Sequence, residues 1–257
     1  SSNPIGGQFA FIKTSGRRID DMVVKAPAAI KFAFGENPMT NYGPNGNIPS
    51  TRMGIASLIR EELTLAMQYF NNNDSQKTFT MECYRDLFEG KIPLKAHVHR
   101  ADDIFTAIRI AKEFGLGLTL DHCTDGAVIA DELAEEGYPA FIGPSLGNKS
   151  KIELKNKSFT TPAVLHAAGV PISIITDAPV IPLQHLPLCA GLAVDAELPE
   201  EEGWKAITIN PATQTGIADR VGSLEKGKDA DIVLFAGDPL DIRTRIEAVF
   251  IDGRKVK

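Results

Sequence analysis

Short apolar runs alternate with amphipathic segments through the middle of the chain. Each run holds four to eight residues and is bounded by glycine or proline, and the runs lie at 93–97, 117–122, 139–142 and 170–177. Runs of this length and punctuation are typical of buried parallel strands. Segments with helical periodicity lie between them, at 101–114 and 125–136. The alternation predicts repeated strand–helix units and a parallel sheet, either open or closed into a barrel.

Further elements are expected on both sides of this region. Two earlier strands are predicted at 9–13 and 28–34, followed by a long loop at 35–50 and a helix at about 51–70. Helices are also expected at about 183–196 and 200–207. A third helix is expected to open at Asn210 as its N-cap, with Pro211 in the first helical position. The pattern therefore predicts six strand–helix units in all.

The periodicity of apolar residues changes from about 3.6 to 2 after Gly222. Strands are predicted at 231–235 and 246–251, and Asp252 and Gly253 form a two-residue hairpin turn after the second strand. The last part of the chain is therefore expected to form a small β layer outside the main sheet.

The composition argues against nucleic acid and membrane as binding partners. The 257 residues include 27 Lys+Arg and 33 Asp+Glu, for a formal net charge of −6. An acidic balance without a basic cluster argues against nucleic acid as a partner. No apolar run approaches the roughly 18 residues of a membrane-spanning helix, so no membrane partner is expected. Three widely spaced cysteines suggest reduced thiols and a cytoplasmic location.

Polar side chains stand at the carboxyl ends of three predicted strands. One strand ends at His97, with His99 just beyond it, another ends at His122, and the last ends at Asp177. Active sites of parallel-sheet folds form at these strand ends. Converging imidazoles and a carboxylate suit a Zn²⁺-like ion with an open position for water. A single histidine at a strand end is more often structural, and the residues alone leave both interpretations open.

Four motifs carry a resemblance to a known family. They are Ala96-His97-Val98-His99, Leu120-Asp121-His122-Cys123-Thr124, Ile174-Ile175-Thr176-Asp177 and, most specific, Ile207-Thr208-Ile209-Asn210-Pro211-Ala212 followed by Gly222–Val233. With them the sequence resembles the amidohydrolase superfamily of metal-dependent hydrolases, close to its imidazolonepropionase-like and prolidase-like branch. The resemblance implies an α/β fold. A (β/α)8-type barrel is expected over 1–218 and a small β-sandwich segment over 219–257.

The resemblance also implies roles for individual residues. His97 and His122 are expected to be metal ligands, and Asp177 is expected to be both a ligand and the residue that activates the attacking water. A further ligand is expected after the second strand, where two alternatives stay open. Lys31 resembles a carboxylated lysine that bridges two metal ions, and Glu36 resembles the glutamate ligand of single-metal members.

Three more side chains are expected to face the substrate. His99 and Arg100 follow the His97 strand, and Arg52 ends the segment 35–52 that is expected to shape the pocket. The implied reaction is hydrolysis of a C–N bond in a small molecule, such as an amide, a cyclic amide or an imine, with a divalent metal ion, most simply Zn²⁺.

The sequence departs from the family pattern near its beginning. No His-x-His pair precedes Lys31, and six strand units stand where the resemblance implies eight. We therefore expect the first two barrel strands and half of the sandwich to be missing, and a complementing N-terminal segment or a homo-oligomer to supply them. Two alternatives remain: a non-catalytic barrel subunit, and a single-metal deacetylase or deaminase that uses Glu36, His97 and His122.

Overall fold

A computed structural model describes residues 2–72 and 76–257 as two sheets and a set of helices. The strands of the larger sheet pair in chain order: β1 (Ile5–Ile12), β2 (Val23–Ala33), β3 (Leu94–Val98), β4 (Leu118–His122), β5 (Ala140–Ile142) and β6 (Ile172–Ile174). The smaller, antiparallel sheet contains β7 (Ile232–Phe235), β8 (Ile246–Ile251) and β9 (Arg254–Lys255). These sheets confirm the α/β class and the β layer at the end of the chain.

Helices connect the strands of the larger sheet and follow its last strand. They are α1 (Glu36–Tyr42), α2 (Arg52–Asn71), α3 (Phe79–Glu82), α4 (Arg85–Phe88), α5 (Ala101–Phe114), α6 (Ala130–Glu136), α7 (Thr161–Ala167), α8 (Leu186–Asp195), α9 (Glu200–Lys205) and α10 (Ile209–Gln214). No helix in the described ranges is both long and apolar enough to cross a membrane.

The first strand of the larger sheet differs from the sequence expectation. Strands β2 to β6 are parallel, but β1 is antiparallel to β2, with Phe9 opposite Ala29. Only residues 13–22 connect β1 to β2. A parallel crossover needs a dozen or more residues, so this connection can only form a hairpin. The first of the six predicted strand–helix units is therefore a hairpin, and five strands form the parallel part.

Two predicted boundaries were also wrong. Residues 35–50 were expected to be a loop, but α1 begins directly after Gly35, because Pro38 is tolerated in the first turn of a helix. Asn210 was expected to cap the next helix, but α10 begins at Ile209 with Thr208 as its N-cap. The Asn210 amide instead donates to the carbonyl oxygen of Ile172, at 3.0 Å, and so ties α10 to β6.

The apolar core lies between the strands and the helices packed on the outer face of the sheet. From α2 it receives Ile55, Ile59 and Leu63, and from α5 it receives Ile104 and Ile108, all buried. Because both helices cover the outer face of the sheet, polar side chains can stand on the inner face and at the carboxyl edge of the five parallel strands.

Candidate metal centre

Three histidines meet at the carboxyl edge of β3 and β4. Their ring centroids lie 4.7 Å apart for His97 and His99, 4.4 Å for His97 and His122, and 4.7 Å for His99 and His122. All three are buried, and one nitrogen of each lies within 4.8 Å of the others. Residues 97 and 99 share a face because they are two apart on an extended chain.

His122 reaches this cluster because the backbone turns at the end of β4. In the ladder His97 stands opposite Asp121, not His122. The φ angles of His122 and Cys123 are 72° and 48°, in the left-handed region. This turn ends the alternation of the strand and directs the His122 ring toward the two histidines of β3.

Hydrogen bonds hold the rings of two of the histidines. Nδ1 of His122 donates to the carbonyl oxygen of Gly143 at 2.6 Å, which leaves its Nε2 lone pair free for a ligand bond. Nδ1 of His99 lies 2.8 Å from Oγ1 of Thr124. Carbonyl and hydroxyl partners of this kind orient metal-binding imidazoles in proteins.

His97 is held differently and leaves one nitrogen unsatisfied. Its Nε2 lies 3.1 Å from Nδ2 of Asn37. Its Nδ1 is buried and has no hydrogen-bond partner among the described residues. A buried ring nitrogen without a partner is costly, and a ligand bond at Nδ1 would satisfy it in the tautomer that carries its hydrogen on Nε2 and faces the oxygen of the Asn37 amide. The three imidazoles together therefore fit a metal ion of the kind that prefers nitrogen donors.

The histidines are in the protonation state that binds metals. Burial lowers the pKa of His99 to about 2, and burial together with the neighbouring histidines holds the pKa of His97 well below its usual value. Burial also lowers the pKa of His122, although Asp121 and Asp177 oppose this effect. The three imidazoles are therefore neutral at pH 7, and each has a lone pair to offer.

Asp177 lines the cavity next to the cluster. This cavity has a volume of about 430 Å³, and the three histidines, Asp177 and Lys151 contribute to its wall. Asp177 has a φ of 49° and lies three residues after the last residue of β6, at the carboxyl edge of the sheet. Among the described residues, the histidine, cysteine and acidic side chains that lie close enough together to share one metal ion are the three histidines. Asp177 therefore stands beside the cluster, in reach of a small molecule in the cavity.

Lys31 lies on the inner face of the sheet, outside the histidine cluster. Its Nζ pairs with Oδ2 of Asp121 at 2.5 Å, and Nζ of Lys95 pairs with Oδ1 of the same carboxylate at 2.6 Å. Both lysines line a second cavity of about 650 Å³, to which Asp177 also contributes. In this arrangement the ammonium of Lys31 is held by Asp121 and lies outside the histidine cluster.

Glu36 and Arg52 belong to a buried charge network beside the histidines. Oε1 of Glu36 accepts a hydrogen bond from the backbone N–H of Glu153 at 3.1 Å. Nε of Arg52 donates to Oδ2 of Asp103 at 2.9 Å, and its Nη2 lies 3.5 Å from Oε2 of Glu153. The side chains of Glu36 and Arg52 thus contact protein groups of the network.

Arg100 is held by a neighbouring carboxylate at the surface. It forms a two-bond pair with Asp102 at the start of α5, at 2.9 and 2.8 Å, where both side chains are largely exposed. His99, which the sequence placed on the substrate side with Arg100, lines the cavity and also belongs to the histidine cluster.

Three side chains next to the histidines were not predicted from the sequence. Asn37 contacts His97, Glu153 faces His99, and Lys151 bridges Asn37 and Glu153. Asn37 directly follows Glu36, which was expected to be a ligand, so the sequence weakly indicated that Asn37 lies near the site. Lys151 and Glu153 lie in the long segment between β5 and α7, where neither apolar periodicity nor a motif marks them.

Comparison with known proteins relates the chain to one family. Residues 80–256 match the sequence model of the amidohydrolase family. The crystal structure of an amidohydrolase from Thermotoga maritima MSB8 superposes with a TM-score of 0.96 and 41% sequence identity. That match covers 100% of this chain and 70% of the Thermotoga chain.

Curated relatives show the same relationship over shorter parts of their length. The amidohydrolase tasK of Hapsidospora irregularis is 25% identical over 98% of this chain. The imidazolonepropionase of Shouchella clausii is 33% identical over 58% of it. The matched regions span only 29% and 33% of those two proteins.

Proposed function

Because the chain belongs to the amidohydrolase family, we propose that it hydrolyses a C–N bond in a small molecule with the help of a divalent metal ion. The compact cluster of His97, His99 and His122 is the observation that carries this proposal. Neutral imidazoles are the usual ligands of Zn²⁺ in hydrolytic sites, so Zn²⁺ is the ion we propose. A bound divalent ion supplies Lewis-acid activation of water and of the scissile group.

The three histidines hold the ion, and this set modifies the ligands implied by sequence resemblance. His99 takes the place that the resemblance implies for Lys31 or Glu36. The contact of Lys31 with Asp121 and that of Glu36 with the backbone of Glu153 support this choice. We therefore propose one ion per chain. A second ion would require Lys31 to leave Asp121 and turn toward Asp177.

Asp177 moves the proton in the proposed reaction. Its carboxylate accepts a proton from the attacking water as the C–O bond forms, and then donates that proton to the leaving nitrogen as the C–N bond breaks. The place of Asp177 in the wall of the cavity supports this role. The same cavity, about 430 Å³ in volume, is of the size that small-molecule sites have.

The bond that is cleaved belongs to an amide, a cyclic amide or an imine. The name of the Shouchella relative suggests an imidazolone as one substrate class to test. We further propose a cytoplasmic enzyme whose open sheet edges, β1 and β6, are covered by a complementing segment or a second copy. Gel filtration with light scattering distinguishes a monomer from a homo-oligomer.

Metal analysis tests the proposal directly. The chain is purified without chelator or added metal, and its metal content is determined by elemental analysis. We expect about one zinc ion per chain, and we expect the His122→Ala variant to lose it, because one of three protein ligands is removed. Two ions per chain would support Lys31 as a bridging ligand. A folded chain that takes up no ion from added Zn²⁺ would support the non-catalytic alternative.

A further inference from the structure

Three aliphatic side chains line the cavity next to the histidine cluster. Leu146 and Leu154 lie in the segment between β5 and α7, and Val180 lies in the segment after β6. None of the three belongs to, or packs against, the apolar core that the described residues form. Apolar side chains scattered singly over a surface need no explanation, but three around one cavity indicate a surface that a ligand covers.

Backbone hydrogen bonds hold Val180 close to Asp177. The N–H of Val180 donates to the carbonyl oxygen of Asp177 at 2.9 Å, and the N–H of Ile181 donates to that of Thr176 at 3.2 Å. These bonds close a turn directly after Asp177, and Asp177, Val180 and Ile181 all line the cavity. Val180 is 61% exposed. An apolar side chain with a large exposed surface therefore stands beside the residue that moves the proton in the proposed reaction.

The turn after Asp177 meets the segment that carries Leu146. A Cβ atom at Gly147 would lie 3.8 Å from Cδ1 of Ile181, which is ordinary van der Waals contact. Ile181 itself packs against the apolar core. The segments after β5 and β6 therefore come together at the cavity, and both contribute aliphatic side chains to its wall.

The two ammonium groups in the same wall already have partners in the protein. Nζ of Lys151 pairs with Oε1 of Glu153 at 3.2 Å. Nζ of Lys157 donates to the carbonyl oxygens of Gly147 and Asn148, at 2.9 Å each. The charged groups are therefore held by protein atoms, whereas the aliphatic side chains keep free surface. A wall of this kind favours an uncharged apolar group over an anion.

We propose that Leu146, Leu154 and Val180 form a subsite for an apolar substituent of the substrate, so that the substrate is an uncharged C–N compound that carries an alkyl group. This inference rests on the proposed function, in which the same cavity holds the substrate. A cavity of about 430 Å³ has room for such a group beside the scissile bond. Each CH2 group that leaves water for an apolar surface strengthens binding about fourfold.

The test measures how tightly the full chain binds two uncharged linear amides, propanamide and pentanamide. Each amide is titrated in ligand-observed NMR, which gives its dissociation constant and also detects its hydrolysis. We expect pentanamide to bind at least about tenfold more tightly than propanamide, because its alkyl chain is two CH2 groups longer.

A substitution in the wall shows where the alkyl chain binds. Leu146→Asn replaces an apolar side chain by a polar one of similar size, and we expect the tenfold difference between the two amides to fall to about threefold or less. The matched control is Leu224→Asn, which makes the same change at a residue that is 79% exposed and does not line the cavity. It should keep the wild-type difference.

Three outcomes would overturn the subsite. The first is equal binding of the two amides by the wild-type chain, and the second is the same loss in Leu224→Asn as in Leu146→Asn. The third is tighter binding of succinamate than of pentanamide. Succinamate ends a chain of similar length in a carboxylate, so an ammonium group of the wall would then select the substrate.

The proposed function is judged separately, by zinc content and by hydrolysis of the bound amides. If pentanamide binds as expected but the chain takes up no added Zn²⁺, the proposed function fails and the apolar subsite stands. If the chain binds Zn²⁺ and hydrolyses both amides with equal dissociation constants, the subsite is overturned and the proposed function stands.

A second variant keeps the test decisive if Leu146→Asn does not fold. Val180→Thr replaces a methyl group by a hydroxyl at an exposed position, which the fold is expected to tolerate. Its control is Val128→Thr, at a valine that is 69% exposed and does not line the cavity. We expect Val180→Thr to weaken pentanamide binding about threefold and Val128→Thr to leave it unchanged. Equal affinity of the two variants for pentanamide would overturn the subsite.

Discussion

Asp177 combines an acidic side chain with a left-handed backbone at the edge of the histidine site. Its φ is 49°, and asparagine is among the few residues that adopt this conformation readily. Asp177→Asn therefore removes the charge and the proton acceptor without straining the chain. We expect turnover to fall by roughly 10²- to 10⁴-fold, since this is what a general base contributes. Zinc content should stay at the wild-type level, because the three histidines remain.

Turnover is measured on whichever of three substrates the zinc-loaded wild-type chain hydrolyses: a linear amide, a lactam or an imidazolone. Asp252→Asn is the matched control, because Asp252 also has a positive φ, 50°, but lies in the hairpin of the small sheet. It should leave turnover unchanged. Full activity in Asp177→Asn would refute the assigned role, and loss of zinc in that variant would make Asp177 a ligand instead.

The individual residues of the site were predictable to different degrees. His97, His122 and Asp177 follow apolar runs, so the rule that parallel strands end at one edge brings them together. The sequence could not place His99 in the histidine cluster, because the cluster depends on the turn at His122 and Cys123. The sequence gives no sign of Glu153, because its contacts join segments far apart in the chain.

The helix α2 illustrates how a single side chain sets the start of an element. Thr51 precedes the helix with an extended backbone, and its Oγ1 accepts a hydrogen bond from the backbone N–H of Gly54 at 3.0 Å. Thr51→Ala removes this cap, and we expect the free energy of unfolding to fall by about 1 kcal/mol. Urea denaturation followed by circular dichroism measures the change.

Thr51→Ser provides the control, since serine offers the same acceptor and caps helices at least as well. It should unfold at the wild-type urea concentration. Equal destabilisation by both substitutions would show that the methyl group of Thr51, and not the hydrogen bond, stabilises the helix start.

Elements were predicted best where burial determines the pattern. The strands β3 to β6 are buried on both faces and appear in the sequence as short apolar runs. The helices α2 and α5 bury one face, so their helical periodicity is clear in the sequence. The direction of β1 was not predictable from periodicity, because a strand reads the same in either direction and only the short connection to β2 makes it a hairpin. The helix α1 has too few apolar residues to produce a helical period.

At the scale of the whole molecule, Lys13 joins the two sheets. It directly follows β1, is 8% exposed, and contacts three carboxylates of the small-sheet region, Asp229 at 2.9 Å, Asp231 at 2.6 Å and Asp252 at 2.9 Å. Arg220 supports the same junction, with Nη2 2.8 Å from Asp229 and Nη1 3.3 Å from the carbonyl oxygen of Val24 in β2. The hairpin of β1 and β2 is thus attached to the small sheet through charge.

This junction contributes to the dependence of stability on pH. Burial alone would lower the pKa of Lys13, but hydrogen bonds to the three aspartates outweigh it and raise that pKa above its usual value. The same contact with Lys13 holds the pKa of Asp229 below its usual range. The contribution of Asp229 to the free energy of unfolding is therefore fully present above about pH 4. It is lost as the pH falls through the pKa of Asp229 in the folded protein. The contribution of Lys13 is present below about pH 10 and is lost only at higher pH.

Lys13→Met tests this junction, because methionine keeps the apolar stem and removes the charge from three carboxylates. We expect the free energy of unfolding at pH 7 to fall by about 2 kcal/mol, the scale of a charged hydrogen bond. The difference from wild type should shrink at pH 3, below the usual pKa of an aspartate, because the lowered pKa of Asp229 no longer contributes its full stabilisation there. Urea denaturation at both pH values measures it, and Lys205→Met, at an exposed pair with Glu201, is the control without an effect. An equal difference at pH 7 and pH 3 would mean that packing, not charge, joins the sheets.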